Sequence, residues 1–198
     1  EVSNALYWRA KTELQIGHTA MGAKFFAEYN TGTLEDKLFA LLAAAYCNDM
    51  QSAEALSRHI APELPEDYRP FLLLAEKIGK REYFIALGLI ETLLEKLSVS
   101  DKNVFKLELL ASYLCMRLNN LQQAHKYLVR YEEHRSGDPA CRIAIARLAK
   151  LRNDGEKLFT QINRAFDNNL LMIPRDLVPA YLQELRRQSN TAAAEMLL

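Results

Sequence analysis

Apolar residues recur along most of this chain at intervals of three and four, most clearly from Leu34 to Pro65, LEDKLFALLAAAYCNDMQSAEALSRHIAPELP. Leu38, Leu41, Leu42 and Ala45 stand at i, i+3, i+4 and i+7, the spacing that puts side chains on one face of a helix. A polar pair, Asn48-Asp49, separates this run from a second one. Ala43, Ala44, Ala53 and Ala55 flank the turn, and small residues where two helix axes cross let the backbones approach closely. The stretch predicts a helical hairpin. Alone it would leave its apolar faces wet, so it needs neighbours of its own kind.

The same pattern recurs in weaker form. With Ala53 as reference, equivalent positions fall at Ala20, Ala53, Ala86, Ala124, Leu158 and Ala194, which are 33, 33, 38, 34 and 36 residues apart. The first hairpin pairs Asn4–Gln15 with Thr19–Tyr29 and ends at Asn30-Thr31-Gly32-Thr33. The third pairs Tyr68–Ile78 with Glu82–Leu97 through Gly79-Lys80-Arg81, and the polar stretch 98–103 takes up the longer spacing, with Asp101 as an N-cap. Val104–Leu118 and Leu121–His134 form the fourth, turned at Asn119-Asn120 and closed by Ser136-Gly137-Asp138-Pro139. Ala140–Leu151 and Lys157–Phe166 form the fifth, through Asn153-Asp154-Gly155. Arg175–Gln188 follows, with Pro174 at a permitted first-turn position, and then the stub Thr191–Leu198. No segment alternates apolar and polar over enough residues to predict a strand. The expected class is all-α, as one domain over residues 1–198.

Composition sharpens this only in places. Seven Gly and six Pro among 198 residues favour long helices with short connections. Formal net charge is zero, so no global field draws the chain to nucleic acid or anionic lipid. The distribution is uneven: residues 1–100 carry 10 Lys+Arg against 14 Asp+Glu, net −4, and residues 101–198 carry 15 against 11, net +4. Cys47, Cys115 and Cys141 lie in apolar runs without metal-ligand spacing, and buried reduced thiols are expected, which favours a reducing, cytoplasmic setting. No run of about 18 apolar residues is present, so no membrane insertion is expected. The chain starts at Glu1 without Met and stops inside an apolar pattern, which reads as a fragment of a larger protein.

The spacing and the partial motif match resemble the tetratricopeptide repeat family, W-x2-L-G-x2-Y followed by A-x3-F and P, over essentially the whole chain. Leu41, Ala53 and Pro65 match in the second unit, Leu73 and Ala86 in the third, Ala111, Ala124 and Leu128 in the fourth, and Ile145, Ala146, Leu158 and Ile162 in the fifth. Lys37, Ala40 and Ala44 replace the family's Trp, Leu and Tyr, so the repeats are degenerate. The resemblance implies a right-handed α-solenoid of five to six antiparallel helical hairpins, its concave wall made by the first helix of each and its groove open to a peptide or a partner helix. Carried over residue by residue, it nominates Arg9, Leu42, Tyr46, Ala75, Tyr113, Met116, Arg117, Arg147, Lys150, Gln183 and Arg186 as groove-lining. Guanidinium groups beside Tyr113 and Met116 suit an acidic or carboxylate-bearing peptide. The carboxylate clamp of chaperone-docking members is missing: Ala5, Arg9, Leu38 and Leu42 stand at its positions.

No P-loop, GxSxG, GxGxxG or HExxH occurs, so no common catalytic framework points to an enzyme. His125 and His134 flank Glu132-Glu133 but stand nine residues apart, off a shared helix face, and no metal or other cofactor is expected. Arg186-Arg187 lacks a motif that would give it register on phosphate, and no nucleic-acid partner is expected. The Trp8-Tyr7 pair is expected to plug the N-terminal edge of the core. The reading is a non-enzymatic interaction scaffold with Gln- and Ala-rich helices of bacterial style, serving a secretion, export or regulatory assembly. The competing reading is self-association, in which the basic half docks head-to-tail on a neighbour's acidic half as a homodimer or chain.

Overall fold

A computed structural model describes residues 33–97, 106–166 and 173–188. These residues form nine α-helices and two short 3-10 turns, with no strand among them. The first hairpin, Arg9, Trp8, the 98–103 connection with Asp101, and the stub Thr191–Leu198 lie outside the described residues. The chain divides into two compact units, Glu1–Leu107 and Glu108–Leu198.

In the first unit the helices are α1 (Leu34–Tyr46), α2 (Met50–Ile60), α3 (Pro70–Gly79) and α4 (Tyr83–Lys96). Thr33 starts α1 with a capping box: its Oγ1 accepts from the Asp36 amide at 3.2 Å, and Asp36 Oδ2 accepts from the Thr33 amide at 3.3 Å. α1 is buried almost all round its C-terminal half, where every residue from Ala40 to Ala45 is inside. Small Ala side chains let α2 and α3 approach it. Phe71, Leu74 and Ile78 of α3 and Ala86, Ile90 and Leu93 of α4 complete this core. The third hairpin begins later than its pattern predicts, because Glu66–Tyr68 forms a 3-10 turn and Pro70 opens the helix at a first-turn position.

The second unit holds α5 (Leu107–Arg117, its first residue at the boundary), α6 (Leu121–His134), α7 (Pro139–Leu151), α8 (Gly155–Phe166) and α9 (Val178–Arg187). α7 is its most buried helix, with Ile143, Ala144, Ala146, Leu148 and Ala149 inside. Tyr131 of α6 is fully buried, and its hydroxyl donates to Asp138 Oδ2 at 2.6 Å. The other oxygen of Asp138 accepts from the Ala140 amide at 2.8 Å, so one carboxylate caps α7 and anchors α6. Burial and the Asp138 contact push the Tyr131 phenol well above its ordinary range. Phe159 of α8 stacks on Tyr181 of α9 with ring centroids 5.1 Å apart, and the Tyr181 hydroxyl donates to Asn163 at 2.6 Å.

One turn geometry joins the two helices of each of the four described hairpins. Asn48, Arg81, Asn119 and Asn153 all have positive φ, between 56° and 62°. The next residue, Asp49, Glu82, Asn120 or Asp154, donates its amide to a carbonyl five residues back at 2.9 Å in all four turns. The same residue's carbonyl then accepts from Ala53, Ala86, Ala124 or Leu158. Those four are the reference positions of the sequence spacing, each four residues beyond its cap. Asn tolerates the left-handed region better than other L residues, and Asp and Asn are short enough to cap. Glu82 is not, and its carboxylate instead accepts from Lys77 Nζ at 2.8 Å.

Two expectations are corrected here. α9 starts at Val178 with Pro179 in its first turn, whereas the expected helix began at Arg175 behind Pro174. Residues 175–177 form a turn instead, closed by the Leu177 amide on the Pro174 carbonyl at 2.8 Å. Cys115 and Cys141 are buried, but Cys47 is only half-buried, because α1 ends at Tyr46 and leaves it in the turn. None of the three forms a disulfide.

Candidate partner-binding surface

Three of the nominated side chains meet in the second unit. The Arg147 guanidinium on α7 lies 5.5 Å from the centroid of the Tyr113 ring on α5, and its Nη1 donates to the Tyr113 hydroxyl at 3.0 Å. Its other edge is a fork: Nε donates to Asp176 Oδ2 and Nη2 to Asp176 Oδ1, both at 2.9 Å. One turn further along α7, Lys150 Nζ donates to the Asp176 backbone carbonyl. Tyr113, Arg147, Asp176 and Lys150 thus make one polar array across α5, α7 and the segment that leads into α9.

The array is partly covered: the Arg147 side chain is 22% exposed and that of Asp176 51%. Burial works against the Arg147 charge, but Tyr113 and Asp176 outweigh it, and the guanidinium is held protonated well above its ordinary value. For Asp176 burial pushes the carboxyl up, and the hydrogen bonds and charge of Arg147, helped by Lys150, bring it below the usual aspartate range. Tyr113 is half-buried and Arg117 and Arg186 are exposed. Met116, on the same helix as Tyr113, is half-buried. Tyr46 is half-buried at the end of α1, in the other unit.

Two nominated groove residues do not face outward. Leu42 and Ala75 are 2% and 4% exposed. On α1 the Leu and Ala positions are apolar nearly all round, so the motif register has no polar face to fix it. On α3 the exposed residues are Leu73 and Glu76.

Asp176 is the residue that the sequence did not nominate, because it was counted inside a helix. The signal that could have found it is Pro179, which marks a first helical turn and puts residues 175–177 ahead of it. Nearby, Glu184 of α9 is buried and accepts from Arg187 Nε and Nη2 and from Gln188. A Cβ on Gly155, at the start of α8, would stand 2.5 Å from Glu184 Oε2, so glycine is what lets that carboxylate sit against the helix start. A cavity of about 620 Å³ opens here, lined among others by Lys150, Asp154, Glu156, Gln183, Glu184 and Arg187. Its charges are mixed, with Asp154, Glu156 and Glu184 against Lys150 and Arg187.

His125 on α6 is half-buried. Burial first, then the charges of Lys157 and Arg152, lower its pKa. Among the described residues no group of three or more His, Cys, Asp and Glu side chains is placed to hold a metal ion, and no helix is long and apolar enough to cross a membrane. No protein-family model, curated protein or solved structure matches the chain.

Proposed function

We propose that the chain is a non-enzymatic interaction scaffold whose second unit takes an extended peptide or a helix of a partner protein along the face of Tyr113, Arg147 and Lys150, in the manner of tetratricopeptide arrays. The observation that carries this reading is the polar array itself. Side chains from two successive first helices converge on the segment leading into the third, with a guanidinium fork and an aromatic ring in the positions that recognise a carboxylate. The recurrence of one turn geometry, with the same backbone bonds at 49, 82, 120 and 154, supports degenerate helical-hairpin repeats, and the family resemblance makes these a right-handed solenoid. Asp176 occupies the Arg147 fork in the way an acidic side chain of a partner would. A partner carboxylate therefore competes with Asp176, and binding is weaker than the bare charge of this face suggests.

The test is fluorescence polarisation with a labelled panel of acidic, neutral and basic peptides. Acidic peptides are expected to bind best, Arg147→Glu and Tyr113→Ala to abolish binding, and Asp176→Asn to strengthen it severalfold by opening the fork. Equal binding of all three classes, or an Asp176→Asn variant that binds acidic peptides more weakly than the parent, would reject the reading.

A further inference from the structure

Among the large apolar side chains of the described residues, Phe84 and Ile85 are the most exposed, at 78% and 52%. Both lie in the first turn of α4, a helix that packs into the first unit through Ala86, Ile90, Leu93 and Leu94. At 100° per residue, Gly88 points directly away from that buried face. A Cβ at Gly88 would meet nothing within 4 Å. No contact among the described residues accounts for the least helix-favouring residue after proline in the middle of a 14-residue helix. An outside backbone that approaches closely would.

The face around Gly88 is complementary to itself. Exposed Arg81 stands in the positive-φ turn just ahead of the helix, and exposed Glu95 stands seven residues after the glycine, in the last turn of the helix. Phe84 and Thr92 lie one turn to either side of the glycine. Turning a second copy by 180° about an axis through Gly88 lays the two helices antiparallel. Glycine then meets glycine, each Phe84 reaches the turn of Glu91 and Thr92, and the turn that carries each Arg81 comes to the end of the other copy's helix that carries Glu95. A contact that brings opposite charges together at both ends, with glycine against glycine at its centre, fits a copy of this chain better than a partner of uniform charge.

We propose that a second copy of this chain docks on this face, α4 against α4, in an antiparallel two-fold contact centred on Gly88. Phe84 and Ile85 are its apolar anchors and the two Arg81–Glu95 pairs fix its register. The contact is isologous and closes at two copies, unlike a head-to-tail chain. One helix pair covers less than the roughly 1,200–2,000 Å² of a stable specific interface, so the dimer is weak, with a dissociation constant of roughly micromolar order or above. The proposal is independent of the peptide-binding reading, since the two faces belong to different units.

Sedimentation velocity of the whole chain from about 1 to about 500 µM, a range that brackets such a constant, tests it. The expected result is a shift from monomer to dimer with no larger species. Phe84→Ser should abolish the shift. Arg81→Glu and Glu95→Arg should each weaken dimerisation by about tenfold, since each breaks both pairs. The combined Arg81→Glu/Glu95→Arg variant should restore it, a rescue that loss of fold cannot mimic. These positions are exposed, so helical content by circular dichroism should stay unchanged. A monomer at every concentration, growth beyond a dimer, full dimerisation of Phe84→Ser, or failure of the charge-swapped variant to recover would overturn the proposal.

Discussion

Asp176 accepts from two guanidinium nitrogens of Arg147 and through its backbone from Lys150, so Asp176→Asn changes stability as well as affinity. The pair is partly exposed and screened, and its loss should cost about 1 kcal/mol. The sign with pH follows from its lowered pKa. A carboxyl that titrates lower in the folded chain than its unfolded value of about 3.9 stabilises above that value, and the contribution disappears as pH falls through the folded value. Denaturant midpoints measured from neutral pH down to about 2 should therefore fall less steeply for Asp176→Asn than for the parent. Tyr131 and Asp138 make a stronger case, because the phenol is fully buried. Tyr131→Phe should cost about 1–2 kcal/mol, since it leaves an Asp138 oxygen short of a donor. Asp138→Ala should cost more, since it removes the cap of α7 and strands the buried hydroxyl. Urea denaturation of both variants checks the order.

At the scale of elements, the hairpin turns explain why the sequence was readable where it was. Asn48-Asp49, Asn119-Asn120 and Asn153-Asp154 each put a residue that tolerates positive φ before one that caps, so both the break and the restart are local properties. The α3–α4 turn has Arg81-Glu82 in those places, and Glu82 makes no side-chain cap. Glu82→Asp should supply one and raise stability by about 1 kcal/mol, less the small loss of the Lys77 contact. Thermal unfolding at a dilute concentration measures this. Where the sequence misled, the deciding partner lay far along the chain. Arg175 and Asp176 are acceptable helix residues behind a proline, and the side chains that hold the turn there, Arg147 and Lys150, stand 29 and 26 residues away from Asp176. Tyr113, Arg147 and Lys150 are grouped by the register that the family resemblance implies, and their polar ends are what that register could place. Leu42 and Ala75 offered no such mark.

For the molecule as a whole, charge sets the conditions for association. Formal net charge is zero and the isoelectric point is near 7.2, so copies do not repel one another at long range near neutral pH. Dimerisation should weaken at pH 9, where net charge accumulates, while the Arg81–Glu95 pairing itself stays intact. Light scattering at constant ionic strength checks this separation of global from local charge.

The recurrence of one tight turn has a further consequence, for how fast the chain reaches its fold. Each hairpin closes over a handful of residues, and the helix that follows is held at its first turn by the same bonds. Most of the search is thus local, with little loop entropy to overcome before a contact rewards it. Refolding monitored by stopped-flow circular dichroism should put most helical signal within milliseconds. Asn119→Val, which penalises the left-handed turn residue, should slow that phase if the hairpin closes before the rate-limiting step, and speed unfolding if it closes after.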